Sequence, residues 1–145
     1  MTRSIVVGTD GSETATSAVR AAAELARALG ARVNVVSAYE PLTGVQVKGA
    51  EAPADLEATV APDAGVLAIL EDAQGVVRSV RADCETHARR EDPAEAILNV
   101  AEEQGADRIV VGNKGMTGAR SFLLGSVPDK ISHHASCDVL IVRTA

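Results

Sequence analysis

Four short runs of mostly apolar, β-branched residues recur along this chain, and none shows the regular polar alternation of a strand exposed on one face. Residues 4–9 read SIVVGT, residues 32–39 read RVNVVSAY, residues 107–112 read DRIVVG, and residues 138–143 read DVLIVR. Strands that are apolar on both faces are typical of parallel sheets covered by helices. The runs therefore predict a buried, mostly parallel sheet.

Helical patterns fill the intervals between these runs. Apolar residues repeat at helical spacing over residues 18–29, and Gly30 follows where a helix cap belongs. A second pattern begins near Asp63, and a third begins at Asp92, where the sequence DPAE supplies an N-cap, a helix-starting proline and a capping-box glutamate. A last helix is predicted over residues 127–135. This alternation predicts right-handed crossovers, with helices on both faces of the sheet.

A fifth strand is predicted at residues 84–90, which read CETHARR. Charged side chains suit an edge strand because they discourage unwanted pairing, and His87 within it is expected to face solvent. Residues 41–62 contain three prolines and two glycines and fit neither pattern. We expect a loop there that is functional or mobile. No composition shift marks a boundary, so residues 1–145 are predicted to form one domain.

Composition excludes several classes of partner. The net charge is −6, and the chain has one Tyr, one Phe and no Trp. Nucleic-acid binding is disfavoured, because it needs positive charge or aromatic stacking platforms, and so is binding to an anionic membrane. No apolar run of membrane-spanning length and no signal peptide are present, so we expect a cytoplasmic protein. Cys84 and Cys137 lack zinc-like spacing and are expected to be free thiols.

Two loops that follow predicted strands contain glycine. One contains Gly8, Thr9 and Asp10, and the other begins at Gly112. In an open parallel sheet, ligands bind beyond the carboxyl ends of the strands, where the strand order reverses. If the chain winds outward and then returns past its first strand, these two loops face each other. We expect a ligand at that point to touch both.

The second loop is rich in glycine: Gly112, Gly115, Gly118 and Gly125. Glycine lets the main chain approach an anion closely, and a helix N-terminus offers free N–H groups to it. Ser126 opens the last helix as its expected N-cap, with Asp129 closing a capping box. Lys114 adds a positive charge. The loop therefore predicts a phosphate site.

Each of these features also has a plain structural interpretation. The glycines serve a tight turn, Ser126 caps its own helix, and Asp10 caps the helix that follows it. In the functional interpretation, the Asp10 carboxylate lies near a ribose, an adenine amino group or a metal ion. The loop is no Walker A sequence, since neither GKS nor GKT follows the glycines, and no GxGxxG directly follows the strand. The residues alone leave both interpretations open.

The glycine spacing fits a longer motif, G-x2-G-x9-G-(S/T), at Gly112, Gly115, Gly125 and Ser126. Other matching segments follow in order: IVVGTDGS at 5–12, DPAEAIL at 92–98, ADRIVVG at 106–112, LLGSV at 123–127 and DVLIV at 138–142. Together they resemble the universal stress protein family over essentially the whole chain, apart from residues 41–62. The resemblance implies a Rossmann-like fold: an open, twisted sheet of five parallel strands in the order 3-2-1-4-5, with helices on both faces.

The resemblance also implies an adenine nucleotide, ATP or cyclic AMP, as ligand. Asp10 would contact the nucleoside, with Gly8 and Thr9 in the same loop, and the main chain near Ala38 would read adenine. Ribose and phosphate would lie against Gly112, Gly115, Gly125, Ser126 and Val127, with Asn113 and Lys114 close by. It further implies a homodimer paired through the final strands, from Asp138 to Arg143. An exposed apolar edge gives that pairing a physical motive.

One position departs from the family pattern. Pro128 stands where many ATP-binding members carry Ser or Thr, and proline removes a hydroxyl and a backbone N–H from the phosphate site. This weakens the case for a triphosphate. The chain is similar to short actinobacterial members related to cyclic-AMP-binding ones, so cyclic AMP is a specific candidate beside ATP.

The predicted function is that of a nucleotide-binding stress-response regulator without catalysis. A slow ATP hydrolase is one alternative, with Mg²⁺ held at Asp10 and charges from Lys114 and Arg120. No residue presents itself to orient the attacking water, so no catalytic residue is assigned. A protein-interaction module without bound nucleotide is the other alternative, and the complete glycine motif argues against it. No histidine is assigned to a metal.

Overall fold

The computed structural model describes residues 3–39, 64–113 and 124–143. The elements in chain order are β1 (Arg3–Gly8), α1 (Glu13–Leu29), β2 (Ala31–Ala38), α2 (Ala64–Ser79), β3 (Asp83–Arg89), α3 (Pro93–Glu103), β4 (Arg108–Gly112), α4 (Ser126–His134) and β5 (Asp138–Val142). Every strand and helix predicted from the sequence is present, with small shifts at the boundaries. Within these three stretches no helix is long and apolar enough to cross a membrane. The predicted loop at residues 41–62 lies outside the described residues.

The strands form a five-stranded sheet in the order β3-β2-β1-β4-β5. All four pairings are parallel, which confirms the predicted Rossmann-like order. In the centre, Val7 of β1 aligns with Val35 of β2 on one side and with Val110 of β4 on the other. The polar strand β3 lies at one edge, as its composition indicated, and β5 lies at the other.

Helices cover the sheet on both faces, because alternate residues of each central strand point to opposite sides. Ile5 and Val7 belong to a core cluster with apolar residues of α1 and α2. Val6 belongs to a second cluster with residues of α3 and α4. Both clusters consist mainly of Val, Ile, Leu and Ala, in keeping with the scarcity of aromatic residues.

The predicted end of α1 at Gly30 and the predicted start of α3 at Asp92 are confirmed, whereas the cap of α1 is Ser12 and not Asp10. Ser12 caps α1, and its hydroxyl accepts a hydrogen bond from the Ala15 N–H at 3.2 Å. Gly30 ends α1 in the left-handed region with φ of 70°, where glycine carries no steric penalty. Asp92 caps α3 by accepting from the Glu95 N–H at 3.2 Å.

The start of α4 differs from the prediction. Gly125 is the N-cap, in extended conformation, and no described side chain caps the helix. The predicted cap, Ser126, is instead the first helical residue. Asp129 makes the first-turn bond to the Gly125 carbonyl at 3.0 Å, one residue too late for a capping box. The cause is a hydrogen bond from the Gly125 N–H to the Asn113 carbonyl at 3.0 Å, which holds Gly125 outside the helix.

A chain of polar groups crosses the amino half of the sheet. The Ser4 N–H donates to Asp107 Oδ2 at 2.9 Å, and the Ser4 hydroxyl accepts from Asn34 Nδ2 at 2.8 Å. Asn34 is completely buried, and its Oδ1 lies 3.0 Å from His87 Nε2. The expectation that His87 faces solvent was therefore wrong. The sequence feature that could have predicted this contact is the Asn in the apolar run of β2, since a buried amide needs hydrogen-bond partners.

Candidate functional site

The loop after β1 has a fixed shape. The Thr9 N–H donates to the Val36 carbonyl at 2.9 Å, and the Thr9 hydroxyl accepts from the Gly11 N–H at 3.1 Å. Asp10 is exposed, and its Oδ1 accepts from the Ser12 N–H at 2.9 Å. Asp10 therefore shapes the turn before the helix, but the cap is Ser12, so the structural interpretation of Asp10 as the cap of that helix was wrong. Because one carboxylate oxygen serves the turn, the other is left for a ligand.

Two glycines in this loop have packing reasons of their own. A Cβ on Gly8 would overlap the Ile97 side chain of α3. A Cβ on Gly11 would lie 2.9 Å from Ile69 Cγ1 of α2, and φ at Gly11 is 85°. Such a φ strongly favours glycine. Gly8 is thus accounted for by packing between the sheet and α3, whether or not a ligand lies nearby.

The end of β2 lies on the far side of β1 from β4. Ala38 is half-buried and aligns with Arg89 of β3. The next residue, Tyr39, donates its N–H to the Arg89 carbonyl at 2.8 Å. The main chain at Ala38 is thereby held at the same edge of the sheet as the loop after β1.

The loop after β4 is closed at its base. The Asn113 N–H donates to the Val142 carbonyl of β5 at 2.9 Å, and the Asn113 carbonyl accepts from the Gly125 N–H at 3.0 Å. These bonds bring Gly112 and Asn113 next to the start of α4. Two predicted site residues, Lys114 and Gly115, lie outside the described residues.

The amino end of α4 offers few backbone donors. The Gly125 N–H is used by Asn113, and Pro128 has no N–H. Among the described residues nothing accepts from the N–H groups of Ser126 and Val127, and Ser126 is exposed. These two donors lie at the positive end of the helix dipole. In the part of the chain that the structure describes, the first turn of α4 therefore has two free backbone donors and the Ser126 hydroxyl.

Topology brings the loops after β1 and β4 together. The register aligns Val7 with Val110, so Gly8 and Thr9 end β1 beside the end of β4. The helices before β2 and after β4 lie on opposite faces of the sheet, so the strand order reverses at this point. Such a switch point opens a crevice at the carboxyl edge. The described beginnings of the two loops, Thr9 and Asn113, therefore lie at the ends of adjacent strands, and Ala38 lies one strand further along the edge.

A salt-bridge pair that sequence reasoning missed fixes α4 against α3. The Lys130 Nζ lies 3.2 Å from Glu95 Oε2 and 3.4 Å from Asp92 Oδ2. The hydrogen bond with Glu95 raises the pKa of Lys130 above its ordinary value. Surface pairs of this kind add little stability, but this one ties the first turns of two helices together. The sequence does not predict this salt bridge, because Lys130 is far from Asp92 and Glu95 along the chain.

Metal-binding groups are sparse in this part of the molecule. Across the three described stretches, no group of three His, Cys, Asp or Glu side chains could hold a metal ion. Asp10 is the one carboxylate of the predicted site residues. A divalent cation at Asp10 would need ligands from a bound phosphate, as Mg²⁺ sites of nucleotide-binding proteins commonly do.

Comparisons with known proteins agree with this geometry. The profile of the Universal stress protein family matches residues 1–143. A universal stress protein of Mycobacterium tuberculosis is 38% identical over 143 residues, covering 98% of this chain and 97% of that protein.

Solved structures give the same result. A universal stress protein in complex with cAMP is 33% identical, covers 99% of this chain and 98% of its own, and superposes with a TM-score of 0.75. The universal stress protein from Archaeoglobus fulgidus in complex with dAMP is 27% identical, covers 97% and 98%, and has a TM-score of 0.68. The sheet order, its switch point and these matches lead to one conclusion: the chain belongs to the universal stress protein family.

Proposed function

We propose that this protein binds an adenine nucleotide carrying a single phosphate, and that it acts as a non-catalytic stress-response regulator built on one domain. The observation that carries the proposal is the pair of backbone N–H groups at Ser126 and Val127, beside the ends of β1 and β4. A phosphate there would accept from both donors and from the Ser126 hydroxyl. Asp10 and the main chain at Ala38 would contact the nucleoside. Gly115 and Lys114 complete the proposed site from the sequence motif.

The number of phosphates follows from the number of donors. The first turn of α4 supplies two N–H groups, since Pro128 supplies none. A triphosphate spreads its charge over more oxygens than these two donors and the Ser126 hydroxyl can satisfy, and would need further donors from Lys114 and Gly115. The similar proteins bound to cAMP and to dAMP both hold ligands with one phosphate. Both support cyclic AMP or AMP ahead of ATP.

The direct test is to denature freshly purified protein and identify any released nucleotide by mass spectrometry. Calorimetric titrations of the stripped protein with cyclic AMP, AMP and ATP follow. We expect tighter binding of the monophosphates than of ATP. Lack of binding by all three below millimolar concentration would overturn the proposal. Equal or tighter binding of ATP would overturn the single-phosphate part alone.

The absence of catalysis has its own test. Inorganic phosphate release from ATP is followed with and without Mg²⁺, in the wild type and in Asp10→Ala. We expect no turnover above the buffer background in either protein. Hydrolysis that needs Mg²⁺ and disappears in Asp10→Ala would favour the ATP hydrolase.

We propose in addition that two copies pair through β5. Leu140 and Ile141 on this edge strand are 43% and 37% exposed, which is unusual for large apolar side chains on an open edge. We expect a dimer by light scattering and a monomer for Leu140→Lys. The matched control is Leu67→Lys, since Leu67 is exposed on α2, away from that edge. A wild-type monomer, or a Leu140→Lys dimer, would contradict this assignment.

A further inference from the structure

A groove of about 780 Å³ lies at the amino end of the sheet. Its lining residues come from the first residues of β2 and β3 and from the turn that ends α2: Arg32, Arg78, Arg81, Ala82, Asp83, Cys84 and Glu85. We call it the arginine groove. All carboxyl ends of a parallel sheet lie at the opposite edge, so the groove is about 25 Å from the proposed nucleotide site, one length of β2 at about 3.3 Å per residue.

The charges of the arginine groove are unusual for this chain, whose net charge is −6. Arg32 lies 3.6 Å from Glu85, and both side chains are half-exposed. Among the described residues, neither Arg78 nor Arg81 forms an ion pair. Two guanidinium groups in one concave surface are therefore left without a carboxylate partner. Such a surface concentrates anions locally, even on an acidic protein.

The backbone at Arg81 gives a second observation. Its φ is 63°, the only positive value at a non-glycine residue in the described chain. Helix α1 ends in the same conformation, but on Gly30, where no side chain opposes it. The turn at Arg81 is held by its N–H bond to the Arg78 carbonyl at 2.9 Å, and Arg27 donates to the Val80 carbonyl at 3.4 Å. Strain of this kind at a non-glycine residue points to a use for the side chain.

An ordinary helix-end role explains part of the groove. Arg78 lies in the last turn of α2, where a cation offsets the negative end of the helix dipole. That role accounts for neither Arg81 nor Arg32. Because the same dipole opposes an anion, any anion in the groove depends on the guanidinium groups themselves.

We propose that the arginine groove binds a phosphate group, either as inorganic phosphate or on a small phosphomonoester. Guanidinium groups present paired N–H donors that match phosphate and carboxylate oxygens. A flat carboxylate can pair with one guanidinium, but Arg32 lies 3.6 Å from Glu85, beyond hydrogen-bond distance. A tetrahedral phosphate accepts from several directions and can engage Arg78, Arg81 and Arg32 together. The acidic residues Asp83 and Glu85, which line the same groove, disfavour extended polyanions such as nucleic acid.

Cys84 lines the groove, so its reactivity can be used to detect an anion bound there, although the thiol itself does not bind the anion. Burial raises the pKa of both Cys84 and Cys137 above the ordinary thiol value. Among the described residues, Cys137 has only the carboxylates of Asp138 and Asp107 as its charged neighbours, whereas Cys84 has Arg78, whose effect exceeds the opposing one of Glu85. The rate of alkylation by anionic iodoacetate, divided by the rate with neutral iodoacetamide, cancels the thiolate fraction. The ratio therefore measures the local potential at each thiol.

The test measures both rates at both cysteines by mass spectrometry, at constant ionic strength. We expect a higher iodoacetate-to-iodoacetamide ratio at Cys84 than at Cys137. Inorganic phosphate should slow alkylation of Cys84 and leave the alkylation rate of Cys137 unchanged. The same measurement with glycerol 3-phosphate tests whether the groove binds a phosphomonoester. If glycerol 3-phosphate protects Cys84 from alkylation more strongly than inorganic phosphate does, the ligand is a phosphorylated metabolite. Equal ratios at the two thiols, or no protection by either anion, would overturn the proposal.

Arg81→Gly separates a binding role from a folding role. Glycine relieves the backbone strain, so we expect the melting temperature to rise or hold while phosphate protection of Cys84 weakens about tenfold, the loss of one charge-assisted contact. Arg20→Gln, on the exposed side of α1, is the matched loss of charge and should leave protection unchanged. Full protection in Arg81→Gly would show that the side chain does not bind. Nucleotide affinity should be unaffected in both variants, so this test fails or succeeds independently of the proposed function.

Discussion

The two ends of this sheet offer a ligand different atoms. At the carboxyl end, the proposed nucleotide site consists largely of main chain: the N–H groups of Ser126 and Val127 and the turn around Asp10. At the amino end, a ligand meets side chains, namely the guanidinium groups of the arginine groove, and the buried polar chain through Asn34 crosses the same half of the sheet. A site built from main chain tolerates side-chain replacement and is sensitive to proline. A site built from side chains behaves in the opposite way.

The largest effect is expected at the amino end, from Asn34→Ala. Asn34 is completely buried and bonds to Ser4 and His87, so its loss leaves a cavity and two polar groups without partners. We expect the free energy of unfolding to fall by about 3 kcal/mol, measured by denaturant titration. Nucleotide affinity of the folded protein should not change.

Asn99→Ala is the matched control for this variant. Asn99 is exposed on α3 and bonds to Glu91 at 2.6 Å. Its loss should change stability by less than about 0.5 kcal/mol. If the two variants are equally stable, the polar chain does not hold the amino half of the sheet.

At the carboxyl end, the informative change is Ser126→Pro. Ser126 is the first helical residue and follows an extended Gly125, the geometry in which proline is best tolerated. The helix should remain while one N–H donor and the hydroxyl are lost. We expect nucleotide binding to weaken about 10- to 100-fold, the range for a hydrogen bond to a charged group, measured by calorimetry.

Ser126→Ala removes the hydroxyl and keeps the N–H. We expect a smaller loss of affinity than in Ser126→Pro, because one of the two donors to the phosphate remains. If Ser126→Ala loses as much nucleotide affinity as Ser126→Pro, the site depends on the Ser126 side chain. The two ends of the sheet would then not differ in the kind of atoms that they present to a ligand.

A smaller effect, an increase in ATP affinity, is expected from Pro128→Thr. The substitution restores an N–H and a hydroxyl at the third helical position of α4. We expect ATP affinity to rise about tenfold relative to cyclic AMP. Pro93→Thr, in the first turn of α3, is the control and should leave both affinities unchanged. An unchanged preference in Pro128→Thr would mean that Pro128 does not limit the number of phosphates.

The contrast between the ends also explains what the sequence could predict. The sequence indicated a candidate site at the carboxyl end because main-chain sites need particular residues, and Gly112, Gly125 and Pro128 stand at fixed positions. The error lay within one residue, where Gly125 replaced Ser126 as the N-cap. A local pattern indicated a serine cap, whereas the deciding bond joins Gly125 to Asn113 across a loop. Local sequence does not encode such a contact.

The amino end was not predictable in the same way. Arg32 and Arg81 are far apart in the chain, and the β2–β3 register alone brings them to one groove. His87 appeared solvated because its neighbours in β3 are polar. Its partner Asn34 belongs to another strand and became apparent once the register was known. Side-chain sites that bridge strands depend on register, and register is a property of the folded sheet.

The smallest expected effect is a pH dependence from His87. Burial lowers the pKa of His87 below its ordinary value of 6.5, and nearby Glu85 partly opposes this. The folded protein therefore binds a proton less readily than the unfolded chain. As pH falls below 6.5, the unfolded state takes up the proton first, so the free energy of unfolding decreases until the folded-state pKa is passed. His87→Gln can still donate to Asn34 but cannot titrate, so its stability should vary less with pH across that window, as followed by urea unfolding at several pH values. Equal slopes for the two proteins would show that His87 contributes no proton linkage, and that the amino end is held by the hydrogen bond alone.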